Sequence, residues 1–148
     1  MEVQRFAARA LAVGGILLLV VAAIHLAVTP MLRNLFLTAA GRGPARFWLA
    51  PFLLNHVVVG ILLVPVGLNT LYAARAARTG APWARAVALT NAFSVLALPV
   101  ALMFLMGREY FGARPFVIAT VLVAVASLVL VSAALALRPA GSVLHRNV

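Results

Sequence analysis

Two histidines lie inside apolar runs, His25 in "VVAAIHLAVTP" and His56 in "FLLNHVVVGILL". An imidazole can ligate a metal, carry a proton or form a hydrogen bond, and in hydrocarbon it is costly to leave without a partner. Eight residues separate His25 from Arg33, and eight separate Trp48 from His56. At about 1.5 Å per helical residue, each ring is attached roughly 12 Å from the polar end of its segment. In adjacent antiparallel helices, the two histidines therefore share one side and one depth.

Helical spacing adds to this coincidence. Gly15, Ala22, His25 and Thr29 fall near one stripe of the first segment, and His56, Gly60 and Gly67 share a stripe of the second. Small-residue stripes are the faces on which membrane helices approach closely or border an inserted group.

Two imidazoles from facing helices are the axial ligand set of a b-type haem. In that reading His25 and His56 are the metal ligands and Gly60 gives room for the porphyrin edge. Arg33 and Arg46, at the same end, pair with the propionates through charge-assisted bonds. The first connection, Arg33–Arg46, is long enough to let the first two segments sit diagonally in a bundle. A non-haem metal set would need Glu109, which follows the third segment and lies roughly a dozen ångströms above the histidine layer. His145 belongs to the polar tail. An equally ordinary reading is that the histidines hydrogen-bond to each other, to Asn55, to Thr29 or to a backbone carbonyl, and hold the helices together.

The elements that must position these residues follow from composition. The chain has 148 residues, 66% hydrophobic and only 9% charged, a composition of the membrane class. Four stretches lack Asp, Glu, Lys and Arg: 10–32, 47–74, 86–107 and 115–137. Each exceeds the roughly 20 residues a helix needs to cross about 30 Å of hydrocarbon. None shows the ten-residue alternation of barrel strands. The expected fold is all-α, an integral membrane four-helix transmembrane bundle forming a single domain over 1–148. The first stretch reads as a retained anchor, since it is longer than a signal-peptide core and continues without a small-residue cleavage site.

The connections Arg33–Arg46, Arg75–Arg85 and Arg108–Arg114 are short, and Pro65 and Pro99 fall inside the second and third stretches. All the positive charge is arginine, twelve residues against Glu2 and Glu109. Seven arginines flank the termini and second connection, and five flank the first and third. This excess favours both termini on the cytoplasmic side, and the expected location is a bacterial inner membrane. The arginines are dispersed over every polar end, so they suit anionic headgroups and not nucleic acid.

Other polar residues read as helix-packing groups. Asn69, Thr90, Asn91 and Ser94 lie toward the cytoplasmic side, and Thr120, Ala124, Ser127 and Ala134 form a small stripe suited to a neighbour in the bundle or a second protomer. Trp48, Trp83, Tyr72 and Tyr110 mark the interfacial belt. No cysteine, acidic pair, phosphate loop or Ser/His/Asp set is present, and no acidic residue lies inside a stretch. These absences exclude thiol chemistry and argue against carboxylate-driven antiport.

The leading functional expectation is haem b held by His25 and His56, for electron transfer or sensing. The alternatives are a non-enzymatic accessory or assembly subunit, and a small transporter or quinone-binding protein with a proton-handling histidine pair. The expected partners are the lipid bilayer and either a second copy or a larger membrane complex.

Overall fold

The computed structural model describes residues 2–41, 43–105, 111 and 114–137. Among them the chain is all-α, without strands. Its helices are α1 (Glu2–Ala40), α2 (Leu49–Arg78), α3 (Ala84–Leu105) and α4 (Arg114–Ala136), and a 3-10 turn over Pro44–Trp48 precedes α2. Among the described residues, three helical segments are long and apolar enough to cross a membrane: Glu2–Ala40, Arg46–Arg78 and Ala84–Leu105. On α4 the described apolar stretch, Thr120–Ala136, is shorter.

α1 is longer than its charge-free stretch. Its 39 residues span roughly 58 Å at about 1.5 Å each, well beyond the hydrocarbon thickness. The segment after Arg33 is "NLFLTAA", which contains no breaker, so the helix runs on until Gly41 takes a φ of +55°. Much of the expected first connection is thus helix, and the 3-10 turn over Pro44–Trp48 leads directly into α2. Pro30 lies inside α1, as Pro65 does inside α2 and Pro99 inside α3. Lacking an N–H, each leaves one carbonyl of its helix without the usual ladder donor.

α2 ends in a glycine cap. Gly80 sits at φ +75°, its N–H donates to the Ala77 carbonyl, and the Ala81 N–H donates to the Ala76 carbonyl at 3.0 Å. This double closure satisfies carbonyls that the helix end would otherwise leave open, and a side chain at Gly80 would strain it.

By its contacts the chain divides into two compact units, 16–68 on one hand and 1–15 with 69–148 on the other. The first is the helical hairpin of α1 and α2 that carries the histidines. Phe36 stacks on Phe52 near its closed end, with ring centroids 5.5 Å apart.

In the second unit α3 packs against α4. Its core is built from alanines such as Ala88, Ala92 and Ala134 together with Leu11 and Leu130, so helix backbones approach closely. The expected polar stripe on α4 is internal. Thr120 and Ser127 are buried, and the Ser127 hydroxyl donates back to the Val123 carbonyl. Asn91 is buried as well, and its Nδ2 donates to Thr70 Oγ1 at 3.2 Å. Asn69, Thr90 and Ser94 are exposed. Tyr72 stacks on Trp83 across the α2–α3 connection.

Gly14 marks a close approach, since a methyl group there would overlap the buried Leu130 side chain. Gly14→Leu is therefore expected to destabilise the protein in detergent by about 1–3 kcal/mol through overpacking. Leu130→Ala, destabilising by itself, should be less so in the Gly14→Leu background. Thermal unfolding of the two single variants and the double variant measures this coupling.

Candidate functional site

In the hairpin unit, the helical spacing that brings His25 and Thr29 to one face of α1 meets the stripe of His56 and Gly60 on α2. The imidazoles of His25 and His56 lie face to face, with centroids 4.5 Å apart and planes 17° from parallel. Nε2 of His56 is 2.9 Å from the backbone carbonyl oxygen of His25. A carbonyl has no proton to give, so Nε2 carries the hydrogen and donates it, which fixes the tautomer of a neutral His56 and leaves Nδ1 as its lone-pair nitrogen.

The same carbonyl accepts the Thr29 hydroxyl at 3.0 Å. Thr29 and His56 thus converge on one oxygen of α1, one residue before the Leu26 carbonyl that Pro30 cannot serve.

Gly60 makes the contact possible. A Cβ placed on it would lie 3.0 Å from Leu26 Cδ2 and 3.2 Å from His25 Cβ. The first atom could swing away, but the second is fixed to the α1 backbone. Any larger residue at Gly60 would therefore push α1 from α2 at the level of the rings. Gly60 is a close-approach position first, and the space it leaves is already filled by α1.

Both histidines are half-buried, whereas Arg33 and Arg46 are exposed. The structure thus brings together His25, His56 and Gly60, and puts the two arginines on the surface of the same hairpin. Glu109 and His145 lie outside the described residues. Among the described residues no three His, Cys, Asp or Glu side chains gather as a metal-holding group.

The geometry of the pair bears on haem directly. Two axial imidazoles present ring nitrogens edge-on to an iron between them, with the macrocycle separating the rings. Here the rings cover each other's faces and one nitrogen is bonded to a carbonyl. In this arrangement the pair does not fit around a porphyrin, and seating one requires the rings to part. What the arrangement does chemically is satisfy polar groups inside an apolar segment and tie two helices together.

The sequence offers Thr29 as a stripe residue and as a hydrogen-bond partner for a histidine ring; in the structure its hydroxyl takes instead the same His25 carbonyl as His56. The signal for it was the i+4 spacing from His25, at which a threonine hydroxyl commonly reaches back to a carbonyl. Comparison of the chain with protein-family models, curated proteins and solved structures finds no match, so the functional reading rests on this site.

Two substitutions separate the stack from the hydrogen bond. His56→Phe retains an aromatic face for His25 but removes the Nε2–H, and should cost about 0.6–1.7 kcal/mol, the range for interhelical hydrogen bonds in membranes. Gly60→Ile should destabilise more, because it separates the helices as well. Equilibrium unfolding in mixed micelles ranks the two against wild type, and the reverse order would contradict the close-approach role of Gly60.

Proposed function

We propose that this chain is a four-span integral membrane protein with both termini cytoplasmic, and that it serves as a non-enzymatic accessory or assembly subunit within the bilayer. The observation that carries the reading is the bond from His56 Nε2 to the His25 carbonyl beneath a face-to-face ring stack. It makes the pair a polar clasp of the α1–α2 hairpin. The short connections support the same reading, since the described residues between the helices leave little room for an extramembrane domain. The apolar exteriors of the helices suit lipid and other membrane helices.

The haem reading uses the same residues, His25 and His56 as ligands with Gly60, Arg33 and Arg46 around them. What favours it is the meeting of two imidazoles from two helices at one level. It requires the clasp to open.

The deciding experiment is an ultraviolet–visible spectrum of detergent-purified protein, expressed with ample haem, oxidised and then dithionite-reduced. The clasp predicts no Soret band, together with lowered thermal stability of both His25→Ala and His56→Ala. A Soret band with sharp reduced α and β bands, lost in His56→Ala, would overturn it in favour of haem.

A further inference from the structure

Asn55 precedes His56 and sits on a different face of α2. His56 turns toward α1, whereas Asn55 is exposed, and its amide has no hydrogen-bond partner among the described residues. It lies seven residues beyond Trp48, so it is attached roughly 10 Å below that end of the span. Its side chain is too short to bring the amide back to water, as a long lysine or arginine would. Left in lipid, an amide with two donors and a two-lone-pair acceptor is unsatisfied.

The residues in line with Asn55 are Pro51, Val58 and Leu62, at the i−4, i+3 and i+7 positions, and all are exposed. This is the a/d spacing of a helix–helix seam, with the polar residue at one a-type position, where an asparagine sets register and partner number. Only 11% of the most apolar window of this span is buried by the rest of the chain. The seam faces away from the histidine clasp and is not covered by the hairpin.

We infer that the Asn55 face of α2 is a homodimer interface, in which Asn55 of one copy hydrogen-bonds with Asn55 of a second copy across a two-fold axis along the membrane normal. Copies of one chain insert with one topology, so a residue on a parallel seam meets its own counterpart at its own depth. The amide is self-complementary, donating and accepting at once, whereas a carboxylate or ammonium at that position would repel its copy. A two-fold interface is isologous, which is the geometry such a self-pairing residue needs. The inference rests on the reading of α2 as a membrane span, and it supplies that reading with a partner.

The chain contains no cysteine, so single-cysteine variants report contacts without background. Val58→Cys is expressed in two differently tagged forms in one membrane and treated with a mild oxidant. Val20→Cys, exposed on the face of α1 away from α2, is the control. The expected result is a disulfide-linked pair carrying both tags for Val58→Cys and none for Val20→Cys. Asn55→Leu, measured as monomer–dimer equilibrium in lipid vesicles, should weaken association by about 3- to 30-fold, the effect of losing one interhelical hydrogen bond in a membrane. Asn55→Gln, which keeps the amide, should retain most of it. Monomer at all lipid dilutions, a cross-link only to a different protein, or association unchanged in Asn55→Leu would each overturn the proposal. Alkaline extraction of the same membranes separates this outcome from failure of the span reading, because a chain that does not span is released.

Discussion

On the proposed reading of α1 and α2 as membrane spans, the hairpin depends on one rule of the apolar medium, that a polar group without water must find its partner in protein. His56 satisfies it by donating from Nε2 to the His25 carbonyl, 2.9 Å away on the facing helix. That bond specifies more than attraction would. It sets which face of α2 meets α1 and at which level, because a one-residue shift of either helix turns the ring from the carbonyl. In lipid, where tails are as apolar as leucine, burial alone gives helices little reason to choose one pairing over another.

The bond can form only because side chains are missing beside it. Gly60 lets α2 approach until His25 Cβ lies where a larger residue would reach. The other unit repeats the device with Gly14 against Leu130, within a core of alanines. There a second polar pair, Asn91 with Thr70, ties α3 to α2. Both units thus combine close backbone approach with a small number of internal hydrogen bonds, and neither relies on a large buried apolar core. Many valines, leucines and phenylalanines are left exposed on the helices, a surface that suits lipid or another helix.

The helices were legible in the sequence because charge-free runs of this length permit little else. The shared level of His25 and His56 was legible too, from counting residues to Arg33 and Trp48. The length of α1 was not, because the arginine at position 33 marks the end of an apolar run without ending a helix, and "NLFLTAA" continues it. The diagonal placement expected from a long first connection gives way to direct contact of α1 and α2, since most of that connection is helical. Which atoms would meet was also beyond sequence. Periodicity assigns His56 to a face, but not its nitrogen to a carbonyl, and it left Thr70 unmarked as the partner of Asn91.

The central claim is the hydrogen bond itself, and magic-angle-spinning NMR of the protein in lipid bilayers tests it most directly. The chain has three histidines, so histidine-selective labelling with ring ¹⁵N and carbonyl ¹³C leaves few distances to resolve. With the nitrogen 2.9 Å from the oxygen and a C=O length of about 1.23 Å, a protonated Nε2 should lie within about 4 Å of a histidine carbonyl carbon. That coupling should vanish in His56→Phe. A spectrum in which no Nε2 shows such a coupling, in protein otherwise folded, would contradict the clasp.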